Sequence, residues 1–214
     1  MLNLARHAAA LALVAFATLL APATSRAAET PELTPAGAPL PTVKLADDPV
    51  DFDAVRDAWG RRLDFNALCQ FSLPVKALNE AQAAKDFAKA YDLAAKWLES
   101  CPVDERVQML AFGMAMQLND QPRMEMHKRW YHGLVSSVLK SGDGKTPQTA
   151  WKTISVAEEY AVLQALELQR GSQALIRVPL VDELTARRAD GTEVKLYFNP
   201  ELHFARLNYN LGHK

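Results

Sequence analysis

Asp143 and Lys145 stand in the run Ser141-Gly142-Asp143-Gly144-Lys145-Thr146, and Glu158, Glu159 and Tyr160 follow one short stretch later. Gathered at one seam, acids of this kind beside a lysine and a phenol would hold a cation or a polar ligand, or act as a general acid and base. Helix geometry narrows the idea. Neighbouring helical residues point about 100° apart, so Glu158 and Glu159 cannot both face one small site without a bend. The structural reading is an acidic first turn that complements a helix dipole.

Other spacings offer chemistry and then withdraw it. Gly144-Lys145-Thr146 looks like the end of a phosphate-binding loop, but the pattern G-x-x-x-x-G-K-[ST] needs a glycine where Leu139 stands. A helix is also predicted where that loop needs a strand, so Gly142 is expected to end the helix in a left-handed conformation. Met109, Met114, Met116, Met124, Met126 and His127 carry donors suited to Cu(I). Their helical spacing instead places them among core positions, where methionine fills gaps. His127 and His132 are five apart, unlike the i, i+4 pair of H-E-x-x-H, and no G-x-S-x-G elbow occurs. His203 and His213 fall near an end expected to fray. We therefore assign no catalytic residue, no metal site and no cofactor, and keep Asp143, Lys145, Glu158, Glu159 and Tyr160 as ligand-binding candidates.

The elements that would position these residues begin after residue 27. Residues 1–27 combine a start that carries Arg6 and no acid, an apolar run from Ala8 to Leu20 and small residues around Ser25 and Ala27, the order of a cleaved secretory signal. Its apolar stretch is shorter than the roughly 20 residues of a membrane span, so no stable membrane insertion is expected after cleavage. Removing it takes away Arg6 and Arg26 and moves the net charge from −1 to −3. A mildly acidic surface gives no counterion-release drive toward nucleic acid. The expected location is periplasmic or secreted. In such a compartment Cys69 and Cys101 form either a structural disulfide, worth about 3 to 4 kcal/mol by loop entropy, or two buried thiols.

Residues 28–49 hold Pro31, Pro35, Pro39, Pro41 and Pro49 and read as an extended, mobile leader. Residues 50–204 read as one domain and 205–214 as a tail. Phe52, Val55 and Trp59 share a face of a first helix after Asp51 that Gly60 closes. Ser72 and Pro74 mark the cap and first turn of another. Ala83 to Ser100 carries Phe87, Ala90, Tyr91, Ala94 and Leu98 on one side, with Pro102 beyond its end. Val107, Leu110, Ala111, Met114 and Leu118 stripe the next helix, and after Asn119-Asp120 the pattern runs on to Lys140. Ala90, Leu98 and Pro102 match part of a tetratricopeptide pattern, which suggests stacked helical hairpins but no repeat array. The period then changes. Residues 151–156 and 172–178 read as strands around a helix over 157–168, and Asp190-Gly191 marks a hairpin between 184–188 and 192–198. The predicted fold is α+β, helical hairpins followed by a small antiparallel sheet.

Asp86-Phe87-Ala88-Lys89-Ala90-Tyr91, the Gly142 to Thr146 loop with Thr149-Ala150-Trp151, Ile154 to Tyr160, and Leu196-Tyr197-Phe198-Asn199 resemble an exported bacterial family. It is catalogued as domain of unknown function 4919. The resemblance covers about residues 50–204, implies secretion and one domain, and transfers no catalytic role. The function expected from these readings is a non-catalytic helical module that binds a protein or peptide partner. The alternative is a ligand or cation binder, or an enzyme, with its site where helices meet sheet around the Gly-Asp-Gly loop.

Overall fold

The computed structural model describes residues 31–69 and 73–212, side chains of residues 73–75 excepted. The expected signal segment, the expected Ser72 cap and His213 lie outside these residues. The chain is α+β, as its changing hydrophobic period predicts. Helices α1 (Phe52–Gly60), α2 (Phe65–Leu68), α3 (Leu73–Ala83), α4 (Phe87–Ser100), α5 (Glu105–Gln117) and α6 (Gln121–Lys140) come first. A 3-10 turn, Pro147–Thr149, leads to β1 (Trp151–Lys152), α7 (Val156–Ala165), β2 (Gln169–Arg177), β3 (Leu180–Arg187), β4 (Glu193–Asn199) and α8 (Glu201–Asn210). No described helix is long and apolar enough to cross a membrane.

One capping device recurs through the helical body. Asp51, Asp86, Asp104 and Asp120 each accept a backbone N–H three residues on, which satisfies a donor that a helix start leaves open. Asp86 starts α4 four residues later than periodicity predicts. Lys85, at φ 58°, separates it from α3. Consecutive helices pack as α3 on α4, α4 on α5 and α5 on α6. The stripe Ala90, Tyr91, Ala94 and Leu98 is buried there against Val107, Ala111 and Met114. Trp130 is fully buried, and its indole N–H donates to Leu45 O at 2.8 Å. Cys69 and Cys101 are joined, with Cα atoms 5.3 Å apart, and tie the end of α2 to the end of α4.

The sheet has the order β1-β4-β3-β2. The β2–β3 and β3–β4 pairs are antiparallel, but β1 lies parallel to β4 and makes the sheet mixed. Beyond Lys152 the expected strand is lost, because Ser155 caps α7 by accepting from Glu158 N, and Val156 is already helical. Pro179 falls in the turn between β2 and β3, and Asp190-Gly191 in the turn between β3 and β4. Leu184, Ala186 and Phe198 close a core against α6 and α7.

Both flanks of the domain are more firmly held than composition implies. Residues 31–49 carry no helix or strand and turn at 36–37 and 45–46, yet Arg62, 2% exposed, donates to Ala38 O and Pro39 O, and Thr34 N donates to Arg61 O. Backbone carbonyls that proline-rich sequence leaves unpaired are taken up by a buried guanidinium, so this part is a strap. Residues 205–210, expected as a tail, complete α8. Arg206 is buried there and donates to Gly60 O and Ile154 O.

Candidate functional site

Asp143 and Lys145 stay in their own loop. Asp143 Oδ1 accepts from Lys145 N and from the Thr149 hydroxyl, and that hydroxyl holds the exposed carboxyl below its usual range. Lys145 is exposed. Ser141, in right-handed conformation, ends α6, so Gly142 is not left-handed as expected; it is needed because a Cβ there would lie 2.4 Å from Thr149 O. Gly144 carries the positive φ, 64°, with the Trp151 ring against it. The loop is a self-satisfied corner.

Glu158 and Glu159 meet different elements, as the 100° step between helical neighbours requires. Both are fully buried. Glu158 turns to the helical side, where both oxygens accept from Arg56, at 2.7 Å each, and Oε2 also accepts from Ile154 N at 2.8 Å. Arg56 donates further to the Ser137 hydroxyl and to Lys152 O. All three nitrogens of Arg56 and both oxygens of Glu158 thereby take part in hydrogen bonds, which is how a buried ion pair offsets its desolvation. Arg56 lines a cavity of about 270 Å³ with Asp53, Ser137, Lys140, Lys152 and Asn199.

Glu159 turns to the sheet. It faces Asp182 of β3 and accepts from Gln173 Nε2 of β2 at 3.3 Å, while its Oε1 meets no donor. Burial first, and the Asp182 charge second, push its pKa up to about 9. At neutral pH Glu159 is therefore protonated. Tyr160 lies on the outer side of α7. Its hydroxyl donates to Gln173 Oε1 at 3.2 Å, and Arg170 stacks over its ring at 4.8 Å.

Glu105, which sequence reasoning passed over, is the fourth buried acid of this seam. As the first residue of α5 it reads as an ordinary helix-dipole residue after the Asp104 cap, yet it is 2% exposed. Burial first, and the Glu158 charge second, raise its pKa well above the carboxylate range. Its Oε1 has no hydrogen-bond partner. The family model described as Domain of unknown function (DUF4919) matches residues 72–205. The chain belongs to that family. No curated protein and no solved structure matched the chain. Glu105, Glu158, Glu159 and Asp182 lie within the matched span; Arg56 and Cys69 precede it.

The histidine and methionines of the copper-like segment are spent on packing. His127 Nδ1 donates to Gln108 Oε1 at 2.7 Å, since an amide oxygen only accepts, and Nε2 accepts from the Tyr91 hydroxyl at 3.1 Å. Burial depresses its pKa to about 4 and keeps it neutral. Met114 and Met124 join the α4–α5 core, Met109 the sheet core and Met126 the core around Trp130, while Met116 is exposed.

Proposed function

We propose that the chain is an exported, non-catalytic binding module whose sheet edge pairs with an extended segment of a protein partner. The observation that carries this reading is β2. It runs nine residues at the open end of the sheet, and all but Ile176 are exposed. Most sheet strands bury one face; β2 has β3 on one edge and free N–H and C=O groups on the other. Such an edge is a ready template for strand addition, in which backbone bonds supply affinity and alternate side chains supply specificity. Leu175, 39% exposed, and Val178, 90% exposed, put apolar contacts along the same strand and its turn. Export rests on the leader pattern of residues 1–27 and on the bridged cysteines, since disulfides persist outside the reducing cytosol. Catalysis around the Gly-Asp-Gly loop has less support, because Asp143 is committed to Thr149 and Lys145.

The test is site-specific photo-crosslinking in the producing cell. A probe at Leu175 is expected to give a discrete adduct, whereas one at exposed Met116 on the helical body gives none. The reading is wrong if Leu175 yields no adduct, or if both positions yield the same one.

A further inference from the structure

We propose that the segment pairing with β2 carries two acidic side chains six residues apart, which meet Arg170 and Arg177. The inference rests on edge pairing by β2 and adds what that edge selects. Register sets the spacing. Arg170 stands opposite Ala186 of β3 and Arg177 opposite Leu180, so the two arginines lie seven residues apart in β2 but six apart along a regular strand. The irregularity between Arg170 and Gln173 takes up the extra residue. Residues directly opposite each other share a face, which puts Arg170, Gln173, Leu175 and Arg177 on the same side as Asp182, Leu184 and Ala186. That side packs on α6 and α7. A regular strand laid along the free edge of β2 therefore meets both arginines with side chains at i and i+6, about 20 Å apart and on one face.

The charge of the edge selects the acids. Residues 169–178 hold two arginines and no acid, in a chain whose net charge is −1. Both arginines are exposed, and among the described residues neither takes part in an ion pair. Arg170 stacks over the Tyr160 ring at 4.8 Å, which holds its guanidinium plane and leaves the N–H edges to fork onto a carboxylate. Glu167, the nearest acid before the strand, lies in the left-handed turn that leads into it. Between the arginines the row is Gln173 and Leu175, with Asp182 of β3 behind Leu175, so an apolar residue and not a third acid fits opposite that leucine. A second copy of the chain is a poor occupant, because it sets one doubly cationic strand against another.

The experiment is an amide-shift titration of the oxidised, isotope-labelled protein at pH 7 and low salt with three nine-residue peptides of alternating threonine and valine. One carries glutamate at its second and eighth positions, one glutamine there, and one lysine. The glutamate peptide is expected to shift residues 169–177 saturably and to bind about tenfold tighter than the glutamine peptide, with the lysine peptide weaker still. Moving the second glutamate to the seventh position puts it on the opposite face and is expected to remove most of that margin. Arg170→Glu combined with Arg177→Glu changes two exposed side chains and is expected to reverse the order, the lysine peptide then binding about tenfold tighter than the glutamate one. Equal binding by the glutamate and glutamine peptides overturns the inference and leaves edge pairing intact, as does an unchanged order in the double variant. Binding by none of the peptides at about 1 mM removes edge pairing and the inference together. Shifts of residues 169–177 on raising the protein concentration alone overturn the inference in favour of a second copy.

Discussion

The Tyr91–His127 cluster of the helical body and the helix–sheet seam both bury polar side chains, and they treat them in opposite ways, although Arg129 of α6 also keeps a buried Nε without a partner. In the body, Tyr91, His127, Gln108 and Pro102 O form one chain in which each contact has its matching donor and acceptor. In the seam, Arg56 and Glu158 are matched just as fully, but Glu105 and Glu159 each keep a buried oxygen that meets no donor. A closed network fixes one core arrangement and asks for nothing more. Orphaned buried oxygens are uncommon in folded proteins and mark places where a proton or a ligand completes the bonding. The contrast assigns structure to the first region and chemistry to the second.

Four substitutions break or sharpen that contrast. The largest effect is expected from Arg56→Leu, which leaves the Glu158 carboxylate buried without its partner and lowers stability by about 3 to 5 kcal/mol in urea unfolding. Arg56→Leu combined with Glu158→Leu should regain much of that loss, because burial then carries no uncompensated charge. Next comes His127→Leu in the body, which strands the Tyr91 hydroxyl and Gln108 Oε1 and is expected to cost about 1 to 3 kcal/mol. It also removes a pH dependence. With a folded pKa near 4 against an unfolded 6.5, His127 contributes stability above pH 6.5 that is lost as pH falls toward 4, where only the unfolded chain takes up the proton.

The last effect has the opposite sign. Glu159 has a folded pKa of about 9, raised above the ordinary 4.5, so stability declines as pH rises from about 4.5 to 9. Glu159→Gln keeps the shape without the ionisable proton. It is expected to raise Tm at pH 8 by about 2 to 4 °C for each kcal/mol recovered, and to flatten that alkaline decline. A variant that matches the parent at pH 8 would place Glu159 among the ordinary carboxylates.

Much of the body was legible in the sequence and little of the seam. The stripe from Ala90 to Leu98, the break at Asn119-Asp120 and the Asp190-Gly191 turn each depend on residues close in the chain, where periodicity and turn chemistry act. That Glu158 and Glu159 face different ways also follows from helix geometry. The partners they meet do not, because Arg56 lies 102 residues from Glu158 and belongs to a helix whose amphipathic pattern reveals only its apolar face. Glu105 was hidden for the same reason: nothing local distinguishes an acid that α7 covers from one that water covers. The strap was misread because proline content predicts extension but carries no information about Arg62 waiting to bind the freed carbonyls.

Side-chain carboxyl carbon shifts followed by NMR from pH 3 to 10 test the central claim most directly, since they report the protonation of each acid of the seam. Glu159 is expected to remain protonated at pH 7 and to lose its proton near pH 9. A Glu159 signal that completes its titration below about pH 5.5, as an ordinary solvated glutamate does, would contradict it.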